Sequence, residues 1–179
     1  MRGNNIVLGV TASIAIYKAC EIARRLVNHN FSLDIIMTKN AVQLISPQVF
    51  SSLIKGSVYW DEFQDPANWE IEHISLAKKA DLILIAPATA NIIGKIANGI
   101  ADDLLSTTVM ATRAPVLIVP AMNENMYKSK IVQGNIEKLK NLGYKFVGPR
   151  IGKLACGEVG VGHLAEIETI AKEAKKLLR

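Results

Sequence analysis

Cysteine is scarce: the 179 residues contain two, Cys20 and Cys156. That is too few for a disulfide framework and points to a reducing, cytoplasmic setting. Long hydrophobic runs are missing as well. Nothing approaches the roughly 18 apolar residues of a membrane span, so no membrane partner is expected. Arg2 followed by Ile6-Val7-Leu8-Gly9-Val10 and Ala12-Ser13-Ile14-Ala15 looks like a leader, but Thr11 and Ser13 break the run. It passes directly into an amphipathic helix and reads as core. There is no block of one charge. The 21 Lys+Arg and 16 Asp+Glu give a net charge of +5 and are scattered over helices, which suits an anionic small molecule and argues against nucleic acid. No metal is expected. With no low-complexity tract, linker or solenoid-period repeat, residues 1–179 read as a single domain around one core.

Half the residues are hydrophobic and 21% are charged, the balance of a folded globular chain. Short β-branched or Leu-rich runs predict strands at Asn5–Val10, Ser32–Met37, Asp81–Ala86, Pro115–Val119 and Tyr144–Val147. Each is apolar on both faces, as a buried parallel strand should be. Helical periodicity predicts helices at Ile14–His29, Pro47–Gly56, Thr89–Ala97, Asp102–Arg113, Ser129–Gly143 and Ala165–Leu178. In the first, an apolar stripe runs through Ile14, Tyr17, Cys20, Ala23 and Val27. Alternating strands and helices imply a parallel sheet covered on both sides, a Rossmann-like three-layer α/β/α sandwich. Ligands in such folds lie beyond the carboxyl ends of the strands.

Small residues stand at those ends. After the first strand come Thr11-Ala12-Ser13-Ile14-Ala15, where Ser13 can cap a helix or offer its hydroxyl to a phosphate. This is not G-x-G-x-x-G, and Thr38-Lys39-Asn40 follow the second strand where a ribose-binding acid would stand. A mononucleotide is therefore favoured over a dinucleotide. Thr89-Ala90-Asn91 form a second small-residue helix mouth, and Asp102 reads as the cap of the next helix. After the fourth strand, Pro120-Ala121-Met122-Asn123 presents an amide with both donors and an acceptor, while Met122 and Met126 read as core filler. The glycine-rich stretch from Gly148 to His163 holds Lys153 and Cys156 and reads as a long loop without regular structure, a candidate lid. Cys156 reads as accessible and Cys20 as a packed, inert thiol. His73, alone, would read as structural.

Five of these pieces, in order, resemble the flavin-containing cysteine decarboxylase family along nearly the whole chain. They are His73-Ile74, Ala86-Pro87-Ala88-Thr89-Ala90-Asn91, Gly99-Ile100-Ala101-Asp102-Asp103-Leu104-Leu105, Pro120-Ala121-Met122-Asn123-x-x-Met126 and Leu154-Ala155-Cys156-Gly157. The last separates the branch acting on phosphopantothenoylcysteine in coenzyme A biosynthesis from the peptidyl-cysteine decarboxylases. Ala12, Tyr127 and His163 depart from residues common in that branch. The resemblance implies FMN held by Ala12, Ser13, Ile14, Thr38, Thr89, Ala90, Asn91, Ile92 and Ala121. It implies His73 as general base or proton relay, Asn123 on the substrate carboxylate and amide, and Cys156 as proton donor. Lys153, Leu154 and Ala155 would contact substrate through a clamp. The implied reaction converts 4'-phosphopantothenoylcysteine to 4'-phosphopantetheine. Oxidation of the thiol-bearing carbon to a thioaldehyde lets the carboxylate leave as carbon dioxide, and the electrons then return to the enethiol. A homotrimer, or a dodecamer of trimers, and a fused or separate phosphopantothenate–cysteine ligase are the implied partners; the chain would be a stand-alone decarboxylase or one domain of a bifunctional protein. A peptidyl-cysteine decarboxylase and a flavin-binding regulatory protein without decarboxylase activity are the alternatives.

Overall fold

The computed structural model describes residues 4–61, 72–153, 157 and 159–178. Six parallel strands form the sheet: β1 (Asn5–Val10), β2 (Ser32–Met37), β3 (Val58–Tyr59), β4 (Leu82–Ala88), β5 (Val116–Pro120) and β6 (Lys145–Phe146). Their spatial order is β3-β2-β1-β4-β5-β6, with direct pairing of β1 to β2 (Leu8 opposite Ile35) and of β1 to β4 (Leu8 opposite Leu84). The order reverses between β1 and β4, which is where a doubly wound sheet opens a crevice for ligands.

Alternation along each strand divides the core into two layers. Ile6, Leu8, Val10, Leu33, Ile35, Leu82, Leu84 and Leu117 face α1 (Tyr17–Asn28) and α9 (Ile167–Leu177). Val7, Ile36, Ile83, Ile85 and Ile118 face α4 (Glu72–Lys79), α5 (Ala90–Ala97), α6 (Leu104–Ala111) and α8 (Lys130–Asn141). A strand buried on both sides has no polar face to alternate with, and β4 is buried throughout.

The predicted strands are all present, two of them with exact limits, and β6 is shorter than expected. Several features differ. The stretch before β4 holds a helix, α4, and two short helices, α2 (Lys39–Val42) and α7 (Glu124–Lys128), follow β2 and β5; the helix expected at Pro47–Gly56 is the shorter α3 (Pro47–Ser51). The buried face of α1 is Ala19, Ile22, Ala23 and Leu26, whereas Ile14 and Tyr17 are 66% and 58% exposed. A 3₁₀ turn over Ile14–Ile16 causes the offset. Its tighter winding turns Ile16 inward and Ile14 outward, out of phase with a 3.6-residue repeat. Asp103, not Asp102, caps α6 through a reciprocal box with Ser106, and Asp102 instead ion-pairs with Lys95 at 2.7 Å.

The glycine-rich stretch is also not irregular. It forms an antiparallel pair, β7 (Arg150–Lys153) with β8 (Val159–His163). Glycine serves here as clearance for close packing. Gly162 has φ +139°, and a Cβ there would lie 2.1 Å from the Met122 carbonyl oxygen. Among the described residues no helix is long and apolar enough to cross a membrane.

Candidate active site at the sheet switch point

Three strand exits meet above the reversal in strand order, and buried hydrogen bonds hold them together. Thr11, 2% exposed, donates from Oγ1 to the Pro87 carbonyl at 2.7 Å and accepts from the Thr89 N–H at 3.1 Å. One hydroxyl thus pins the end of β1 to the end of β4. The Ala121 N–H donates to the Ala88 carbonyl at 3.0 Å, which adds the end of β5.

Beyond each exit a polar side chain caps a turn. Ser13 Oγ accepts from the Ala15 N–H at 3.3 Å, Thr89 Oγ1 from the Ile92 N–H at 3.4 Å, and Asn123 Oδ1 from the Asn125 N–H at 2.8 Å. These bonds orient the side chains. With its oxygen so used, Asn123 keeps the donors of its NH₂ group for another partner.

A cavity of about 630 Å³ lies among these exits. The small residues Ala12, Ser13, Ala15 and Ala121 line it. Ile14, Met122, Met126 and Leu164 supply apolar wall, and Thr89, Asn123, Tyr17, Lys18 and His163 supply polar groups. No Asp or Glu is among the described lining residues, and Lys18 and His163 are both basic side chains. The cavity is therefore suited to a flat, largely apolar ligand bearing an anionic group. Hydroxyls at helix mouths suit a phosphate, and small residues together with apolar side chains suit a fused ring system, so these residues fit a flavin mononucleotide.

Of the expected cofactor and substrate residues, Ala12, Ser13, Ile14, Thr89, Ala121 and Asn123 line this cavity together. Ala90, Asn91 and Ile92 form the first turn of α5 behind Thr89, and Ile92 is buried in the core. Thr38 caps α2, accepting from the Ala41 N–H at 3.3 Å. His73 lies half-buried in the first turn of α4 and is not among the cavity residues. Lys153 ends β7, its side chain lying outside the described part, and Leu154, Ala155 and Cys156 lie outside the described residues.

Tyr17, Lys18, Met122, Met126, Gly162, His163 and Leu164 were not expected as site residues. Met126, 48% exposed, is cavity wall and not core filler. A legible signal existed for the first two: a large apolar residue and a cation directly behind a Ser-capped mouth. Gly162 and His163 reach the site through β8, whose pairing was not anticipated.

Similarity to known proteins agrees with this geometry. The Flavoprotein family model matches residues 1–179. The chain belongs to the flavoprotein family. It is 48% identical over 176 residues to the coenzyme A biosynthesis bifunctional protein CoaBC of Bacillus subtilis, covering 98% of this chain and 43% of that protein. It thus spans about two-fifths of the bifunctional relatives it matches. A probable phosphopantothenoylcysteine decarboxylase of Streptococcus mutans is 39% identical over 175 residues, with 97% of this chain and 98% of that protein covered. The crystal structure of the FMN-dependent cysteine decarboxylase SpaF superposes with a TM-score of 0.85 at 27% identity, covering 99% of each chain.

Proposed function

We propose that this flavoprotein binds FMN and decarboxylates 4'-phosphopantothenoylcysteine to 4'-phosphopantetheine as a carboxy-lyase of coenzyme A biosynthesis. The observation that carries the reading is the amide of Asn123 standing in one cavity with the Ser13 and Thr89 mouths, at the switch point of a flavoprotein sheet. The Streptococcus mutans relative, matched over nearly its whole length, supports the substrate, and the FMN-dependent SpaF supports the cofactor. A cytoplasmic setting goes with this reading, as does a phosphopantothenate–cysteine ligase partner, fused or separate. Residues 1–179 act in it as one decarboxylase domain.

Ser13, Thr89 and the backbone of Ala12, Ile14 and Ala121 would hold the flavin, with Thr38 and the Ala90-Asn91-Ile92 turn supporting that end. When bound, a flavin supplies reversible two-electron chemistry at the thiol-bearing carbon. Asn123 donates hydrogen bonds that fix the substrate carboxylate and amide. Lys153, Leu154 and Ala155 cover the substrate and exclude water. Cys156 delivers the proton that accompanies return of the electrons, and His73 is the base or relay, imidazole being suited to transfer near neutral pH.

His73 is not among the residues lining the cavity that contains Asn123, while Ile14 and Met126 leave that cavity's apolar wall exposed. Both features support a shared site, in which a neighbouring protomer of a trimer, alone or within a dodecamer, supplies His73. The reading is tested by denaturing the purified protein, identifying the released chromophore, and measuring carbon dioxide from phosphopantothenoylcysteine. FMN and stoichiometric carbon dioxide are expected. FAD, no flavin, or bound FMN without carbon dioxide release would overturn it.

A further inference from the structure

We propose that Glu124 is a positioning residue that clasps β8 and holds the β7–β8 hairpin in register with Asn123 at the cavity mouth. The proposal rests on the reading of this cavity as the flavin and substrate site.

Glu124 follows Asn123 directly, at the first position of α7. Its Oε1 accepts from the Val161 N–H at 3.3 Å, and the same oxygen ion-pairs with Lys128 Nζ at 2.8 Å, one turn along α7. Gly160 lies flat against the carboxylate: a Cβ there would stand 2.5 Å from Oε2. A second tie is backbone only, from the Met122 N–H to the Gly162 carbonyl at 3.1 Å. The hairpin is thus fastened on both sides of Asn123, by Met122 before it and Glu124 after it.

Among the described residues, the outer part of the hairpin buries little apolar surface. Ile151 and Val159 are 72% and 73% exposed, and the buried apolar anchors Leu164 and Ala165 lie past the end of β8. Alternation along β8 turns one side toward α7 and the cavity. Arg150 ties the inner end of the pair, donating from Nε to His163 Nδ1 at 3.1 Å and to the Leu164 carbonyl at 3.2 Å and ion-pairing with Glu166. The described residues farther out, with two exposed apolar side chains, have little burial of their own to hold their position. The carboxylate supplies a charge-assisted hydrogen bond at that point. Lys128 and the Val161 N–H also hold the Glu124 carboxyl below the usual carboxylate range, so the clasp is charged at neutral pH. A pre-ordered hairpin need not be ordered by substrate. Loss of the clasp should therefore appear in KM and spare the closed complex that sets kcat.

The test compares Glu124→Ala, Glu124→Gln, Lys128→Ala, Gly160→Ala and the Glu124→Ala/Gly160→Ala double variant in the flavin-loaded protein. Two readouts are used: hydrogen exchange at the Val161 amide, and steady-state kinetics with phosphopantothenoylcysteine. Glu124→Ala should speed exchange at Val161 by about tenfold. It should raise KM by roughly fivefold to tenfold, with kcat and flavin affinity within about twofold. Glu124→Gln retains an acceptor oxygen and should recover most of both effects, and Lys128→Ala should stay near the parent. Gly160→Ala, whose backbone tolerates alanine, should resemble Glu124→Ala by displacing the carboxylate, and should add nothing once Glu124 is gone. Unchanged exchange in Glu124→Ala would overturn the clasp. Faster exchange with unchanged KM, or a Lys128→Ala effect equal to that of Glu124→Ala, would overturn the positioning role. If the parent released no carbon dioxide, the functional reading would fail and the positioning role with it. The exchange arm would still decide the clasp by itself.

Discussion

Replacing Thr11 with valine isolates the bond that joins the two halves of the site. Valine has nearly the shape of threonine, so no cavity is opened, but the hydroxyl is lost at a position 2% exposed. The Pro87 carbonyl loses a donor at 2.7 Å and the Thr89 N–H loses its acceptor at 3.1 Å. At about 0.5–1.5 kcal/mol for each net hydrogen bond, the sum is about 2 kcal/mol. For a chain of this size that lowers the melting temperature by roughly 4–8 °C, measured at one fixed flavin concentration because bound ligand shifts the midpoint. Serine removes only the methyl group and should cost about 0.8 kcal/mol. Flavin affinity should also fall several-fold in the valine variant, since the Ser13 and Thr89 mouths are no longer tied, and hold in the serine variant. Equal destabilisation by serine and valine would refute the argument, because methyl packing would then be what Thr11 contributes.

Cys156→Ser should leave flavin binding and initial oxidation intact and stall return of the electrons, since a hydroxyl is a far weaker acid than a thiol; rapid-scan flavin absorbance reads each half-reaction. Cys20→Ser should keep turnover: Cys20 packs beside the core and burial pushes its thiol pKa up, away from reactivity. Mixing inactive His73→Asn and Cys156→Ser subunits under exchanging conditions should restore part of the activity if neighbours share a site, and no recovery despite proven exchange would place both residues in one protomer. Asp103→Ala should cost about 1–2 kcal/mol in denaturant unfolding, through loss of the α6 cap. Burial alone would raise the Asp103 pKa, but the Ser106 N–H and Lys95 hold it below the ordinary carboxylate range. Its contribution is therefore complete above about pH 4 and is lost as pH falls through the depressed value, so parent and variant stabilities should converge in strong acid.

The sheet was legible in the sequence because strands buried on both sides are mostly apolar, as β4 and residues 6–10 of β1 are throughout, while β2 carries one buried charge, Asp34, paired with Lys79 and the Ser57 N–H. The mouths at Ser13 and Thr89, and Asn123 beyond β5, were legible for a related reason. Caps are chemistry of the backbone immediately beside them, so short-range sequence specifies them. Contacts between elements distant in the chain were not legible. Thr11 sits 76 residues from the carbonyl it binds, and Glu124 sits 37 residues from the Val161 amide. A threonine after a strand and a glutamate at a helix start are each ordinary until the partner is known. The glycines of β8 illustrate this most directly. Read alone, Gly160 and Gly162 signal a chain without regular structure, because glycine's freedom is its only local property. In the folded molecule the missing side chains provide clearance, letting the strand lie against Glu124 and the Met122 backbone. Local residue chemistry decided which elements form and where ligand groups stand along the chain. Tertiary packing decided which of those groups share a cavity, because that depends on the strand order and on which surfaces approach closely enough to bond.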